Sequence, residues 1–334
     1  MILHPGILAL LVGSGIVLGL MAYGGALGIR IMARWDRGSS SEAQLLLERK
    51  TYLVSTLLSY AFGFELMSLF LYIYTVDDIH ALFIGAMCAT GSLNANPVGW
   101  PVLGLKIALF FVCAAWLAVN SLDQRTEDTP LVRLKYPALL AILPLAGLDF
   151  YLQLRYFLGL QPEIITSCCG SLFSDGESGV AAELAGLPAR PMMWAFYLCA
   201  AALVVTAALC LASRRGFLRY LHAAMAAVFF GVAMASVISF ISLYIYEMPT
   251  HHCPFDILQS QFHFIGYPLF ITLFAGTLFG ALPGVFQPLK RVPSLAAEIG
   301  RVERTWLVIG LALVLAFIGL STWPVVFGSF ILFG

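Results

Sequence analysis

Eight stretches of the chain are long and apolar enough to cross a bilayer, and no other feature restricts its fold so severely. They run over about 6–29, 52–75, 101–120, 137–160, 192–212, 217–245, 264–286 and 305–332. A hydrocarbon core about 30 Å thick takes roughly 20 residues of helix. Backbone amides inside lipid must be satisfied within their own segment, so each run reads as a helix. Composition agrees: 60% of the 334 residues are hydrophobic and 11% charged, against roughly 25% charged in a soluble domain. The sequence therefore predicts an all-α, polytopic transmembrane helical bundle of about eight spans, forming a single integral membrane domain over 1–334. The first run is too long for a signal-peptide core and no cleavage pattern follows it, so it is kept as a helix.

Basic residues set the expected orientation. Arg30, Arg34, Arg37, Arg49 and Lys50 fall between the first two runs, and Arg125, Arg133 and Lys135 between the third and fourth. Arg214, Arg215 and Arg219 follow the fifth, and Lys290, Arg291, Arg301 and Arg304 follow the seventh; together these are 15 of the 18 basic residues. The alternate connections hold only Arg190. The positive-inside rule then places the basic connections in the cytoplasm and both termini outside, in a membrane of the bacterial inner-membrane type. These loop charges read as groups that solvate helix ends. Formal net charge is zero, so no global field favours nucleic acid. No glycine-rich phosphate cradle followed by Lys and Ser or Thr occurs, which argues against a nucleotide.

The three outer connections, 76–100, 161–191 and 246–263, carry the chemistry. Cys88 lies in the first, the vicinal pair Cys168–Cys169 in the second and Cys253 in the third, with His80, His251, His252 and His263. Residues 78–91 are apolar but too short to span, and read as a re-entrant or interfacial helix; a plug over the bundle mouth is the alternative. Neighbouring α-carbons lie about 3.8 Å apart, below the usual range for disulfide partners, so a Cys168–Cys169 bond would be strained. Separate disulfides to Cys88 and Cys253, or thiolates shared by one soft metal ion, are the relaxed options.

In the third connection, "YEMPTHHCPFDILQSQFH", Pro249 and Pro254 bracket the His251-His252-Cys253 triplet and hold it out of helix. His251 and Cys253 share a side of an extended segment. A helix is expected after Pro254, with Asp256 and His263 two turns apart on one face as ancillary ligands. "CPFD" lacks the second cysteine of a dithiol redox motif. The metal-ligand candidates are thus His251, His252, Cys253, Cys168, Cys169, Cys88 and His263. Cys113, Cys199 and Cys210 fall inside apolar runs and read as packing.

A second polar set lies within the predicted spans: Glu65, Lys106, Asp149, Gln153 and Arg155. Charges there are expensive and should pair, as Glu65–Lys106 and Asp149–Arg155, serving either as interhelical glue or as a functional path. Ser236, Ser239 and Ser242 recur at spacing three and read as helix packing.

These residues suit an extracytoplasmic site that binds and hands on, or transports, copper or zinc. An alternative is a membrane thiol-disulfide oxidoreductase passing electrons to a quinone held near Arg155 or His263, with Arg155, Glu65, Lys106 and Asp149 as the cofactor-binding candidates. At the level of architecture alone the chain resembles the quinone-linked membrane thiol oxidoreductases, whose paired redox cysteines it does not match. A third reading is a structural membrane subunit with disulfide-braced outer loops. Expected partners are the lipid bilayer and either an extracytoplasmic soluble protein or another membrane subunit.

Overall fold

A computed structural model describes residues 2–35, 41–126, 128–161, 187–213 and 215–332. Among them secondary structure is helical, and eight helices are long and apolar enough to cross a membrane: Pro5–Arg34, Glu42–Leu82, Gly99–Asp123, Val132–Leu158, Ala189–Ala212, Gly216–Tyr246, Gly266–Arg291 and Pro293–Phe327. The chain is a multi-pass integral membrane protein. Most helices run beyond their apolar stretches, because local end signals rather than hydropathy set their limits. Ser41 caps the second helix by accepting from the Gln44 amide at 3.4 Å, so Glu42–Lys50 is helical before the apolar run begins. Pro5 and Pro293 stand at the starts of the first and last helices, where the missing amide hydrogen costs nothing.

The helices gather into two compact units. The first comprises 1–82, 92–164 and 292–298. In it α1 (Pro5–Arg34), α2 (Glu42–Asp78), α4 (Gly99–Asp123) and α5 (Val132–Leu158) form a closed ring, each touching the next and α5 returning to α1. Val17, Met21, Leu58, Phe62, Leu109, Cys113, Trp116, Tyr136, Leu139 and Ile142 fill its centre. Glycine allows the close approach of α1. A Cβ at Gly28 would lie 2.7 Å from the Tyr136 ring and 3.1 Å from its Cβ, so this position favours the smallest residue, while at Gly24 the nearest atom would be the end of the Leu58 side chain at 2.9 Å.

The second unit comprises 83–91, 165–291 and 299–334. Here α6 (Ala189–Ala212) packs on α7 (Gly216–Ser236), which packs on α9 (Gly266–Val285). The last helix, α10 (Pro293–Phe327), approaches α9 so closely that a Cβ at Gly310 would meet the Gly280 amide nitrogen at 2.9 Å. Phe196, Phe229, Phe240 and Phe317 make an edge-on aromatic cluster in this core.

The expected short helix of the first connection is in two pieces. A 3-10 turn, Ile79–Leu82, continues directly from α2, and α3, Ala89–Asn94, follows after a non-helical bend. The bend holds Cys88 against the interior of the second unit, where it is fully buried.

Candidate metal centre

One helix end organises the site. After α7 the chain widens into a π-helical turn, Val237–Ile241, then tightens into α8, Ser242–Tyr246. Such turns are frequent at functional sites. Here the Ser242 amide bonds to Val237 O, and the Ile238 carbonyl accepts from Ser242 Oγ at 3.3 Å and lies 2.9 Å from His252 Nδ1. The helix ends at Glu247 in the left-handed region, with the Met248 amide bonding back to Leu243 O at 3.2 Å. That closure leaves Tyr246, the last helical residue, pointing its phenol under the following loop.

Tyr246 then clamps the loop from both sides. Its hydroxyl donates to Cys253 O at 2.5 Å and accepts from the Ile257 amide at 2.9 Å. Its ring meets His251 and Phe262 edge-on, each at 4.7 Å. The segment between the two anchored positions has little choice but to turn Cys253 and Asp256 inward. Both are buried.

Cys88 arrives from the other segment of the same unit, tied to this loop by Gln259 Nε2 donating to Met87 O at 2.7 Å. The two sulfurs lie 3.4 Å apart, and Cys253 Sγ is 3.6 Å from Asp256 Oδ1. Cys88, Cys253 and Asp256 offer ligand atoms that all fall within 4.8 Å of one another, and among the described residues theirs is the one such group. Around Cys253 Sγ the Phe255 amide donates at 3.4 Å and Thr90 Oγ1 lies at 3.5 Å. His251 Nε2 pairs with the second carboxylate oxygen, Asp256 Oδ2.

Of the residues singled out from sequence, the structure brings Cys88 and Cys253 together, with His251 one bond removed through Asp256. His252 is turned away to Ile238 O. His263 is exposed, and its expected face-sharing with Asp256 is absent because residues 256–263 do not form one helix. Two 3-10 turns, Asp256–Leu258 and Ser260–Phe262, are separated by an extended Gln259, and His263 has φ 55°. Cys168 and Cys169 lie outside the described residues. Tyr246 and Thr90 were not anticipated; a tyrosine closing an apolar helix carries no pattern that marks it.

The intramembrane charges form a separate cluster within the first unit. Lys106 Nζ lies 3.1 Å from Asp149 Oδ2 and 3.8 Å from Glu65 Oε1. The expected Asp149–Arg155 pairing is replaced by Asp149–Lys106, since six helical residues turn Arg155 about 120° away from Asp149, and Arg155 is exposed. Gln153, four residues on, is the helix neighbour that reaches Asp149. The seam of α7–α8 serines is packing: Ser239 Oγ donates to Leu187 O and Ser242 bonds back to its own helix. Comparison of the chain with protein-family models, with curated proteins and with solved structures gave no match.

Proposed function

We propose that this membrane protein captures a borderline metal ion, Zn(II) in first place and Cu(I) as the competing occupant, on Cys88, Cys253 and Asp256, and hands it on. The observation that carries the reading is the spacing of the three buried donors. Tetrahedral zinc with the usual bond lengths puts two thiolate sulfurs about 3.8 Å apart, and a thiolate sulfur and a carboxylate oxygen about 3.6 Å apart. Two of the separations here are 3.4 and 3.6 Å, the sulfur pair somewhat closer than in a zinc site, and the third, between Cys88 and Asp256, is within 4.8 Å. A hard carboxylate oxygen beside two soft sulfurs suits Zn(II) better than Cu(I).

Charge points the same way. Two thiolates and a carboxylate leave one negative charge around a divalent ion and two around a monovalent one, so Zn(II) comes nearer to neutrality in a buried centre. The three donors among the described residues leave one tetrahedral position for a further ligand, and a position filled by an exchangeable ligand is what transfer needs. On the orientation argued from the basic loops, the site belongs to the extracytoplasmic side.

Metal analysis of protein purified without chelator, beside a thiol count under native conditions, tests this. One equivalent of zinc per chain and unreacted Cys88 and Cys253 thiols are expected. A metal-free chain with those two residues joined would instead support the oxidoreductase, in which the two thiols give two electrons and two protons to a quinone to form the quinol and a disulfide. Single cysteines placed at Ser41 and Pro293 in intact cells test the sidedness. Labelling of either by an impermeant reagent from outside would invert the orientation.

A further inference from the structure

The charged cluster inside the first unit contains one more acid than base. Glu65 on α2, Lys106 on α4 and Asp149 on α5 are each no more than 3% exposed, and their helices are neighbours in one ring. Lys106 Nζ donates to Ser68 Oγ at 3.0 Å and to Asp149 Oδ2 at 3.1 Å, with Glu65 Oε1 at 3.8 Å. One ammonium facing two carboxylates leaves a net negative charge in the membrane-spanning part of the bundle. A buried charge without compensation costs several kcal/mol even after relaxation.

The hydrogen bonds show where compensation is missing. Gln153 spends its amide hydrogens on Ser14 Oγ, at 3.2 Å, and on Asp149 Oδ2. Asp149 Oδ1 and Gln153 Oε1, both buried, have no hydrogen-bond partner. These are two acceptors in want of a donor, one turn apart on the same helix. Among the described residues, the other titratable side chains that interact with these charges, the Cys113 thiol on α4 and the Tyr72 phenol on α2, ordinarily ionise above neutral pH and supply no positive charge. Buried side chains are nearly always satisfied, and one further donor between these two oxygens would complete the cluster's bonding.

We propose that the Glu65–Lys106–Asp149 cluster binds one exchangeable proton, carried on a carboxyl group, and is a proton site of the membrane domain. A proton fits better than a metal cation because the Lys106 ammonium already stands between the two acids. It supplies the absent donor and brings the cluster to neutrality. The site lies in the first unit and does not depend on the metal reading.

Infrared spectroscopy of the full chain in lipid nanodiscs at pH 7 tests it, comparing sodium with sodium-free choline buffer. A protonated-carboxyl carbonyl signal is expected in both buffers, with a shift in D2O. Glu65→Gln and Asp149→Asn should each abolish it, because either leaves one acid facing one base and needs no proton. Lys106→Met should add a second such signal. Absence of the signal in the wild-type protein overturns the proposal, as does its appearance only after sodium is withdrawn, or its survival in both amide variants. If those variants do not fold, Lys106→Arg, which keeps the charge, must still move the frequency of the same signal; an unmoved signal places the proton elsewhere and overturns the assignment.

Discussion

Zn(II) binding by the Cys253→Ser protein is expected to fall more than about a hundredfold below wild type, a larger loss than replacing an outer partner of a ligand produces. Serine keeps the shape but offers a hydroxyl that does not ionise at neutral pH, so both the charge and the soft donor disappear from the centre of the site. Cys88→Ser should act alike. Tyr246→Phe provides the informative contrast, since its hydroxyl touches no ligand atom yet fixes Cys253 O and the Ile257 amide. Removing it takes this shared bridge from both backbone groups, and should weaken zinc by about 10- to 100-fold while the stoichiometry at saturation stays the same. Competition with a chromophoric chelator separates these cases. Unchanged affinity in Cys253→Ser would remove Cys253 from the site and with it the spacing argument.

The helices were legible because lipid leaves the backbone so few options. Apolar runs of spanning length could only be helices, and the boundaries that hydropathy missed were set by Ser41, Pro5 and Pro293 through capping. The meeting of Cys88 and Cys253, 165 residues apart, was foreshadowed by their occurrence in connections assigned to one side. Its geometry was not. The clamp depends on the helix ending at a left-handed Glu247 and on Tyr246 standing beneath the loop that follows, and neither fact has a local sequence signature. The histidines were harder still: His251 and His252 are adjacent and chemically identical, yet one meets Asp256 and the other a carbonyl within the π turn. Only the backbone path distinguishes them. Asp149 shows the reverse error, where proximity in sequence suggested Arg155 and helical phase delivered Lys106 from another helix.

Charges near the ends of the spans were the least legible, and they carry the other large expected effect. Lys135 reads as a group solvating a basic connection, yet its side chain and that of Asp123 are only 2% and 0% exposed and their charged atoms lie 2.7 Å apart. Lys135 Nζ also donates to Asn120 Oδ1 at 3.2 Å, and the Leu131 amide donates to Asp123 Oδ1 at 2.7 Å. The pair thus ties the end of α4 to the start of α5. Lys135→Met should destabilise the protein by about 3–5 kcal/mol, chiefly because it leaves the Asp123 carboxylate buried without its counter-charge. Asp123→Asn added to Lys135→Met should recover much of that loss, since an amide still accepts from Leu131 and carries no charge to strand. Unfolding in mixed micelles, carried through the full double-mutant cycle, measures the coupling. Were Lys135→Met as stable as wild type, the pair would be a solvated surface contact of the kind worth under about 1 kcal/mol, and the basic residues between α4 and α5 would have no role beyond orientation. A large loss rescued by Asp123→Asn would instead mean that the residues which orient the chain also fasten its helices, so that neutralising them would disturb folding as well as topology.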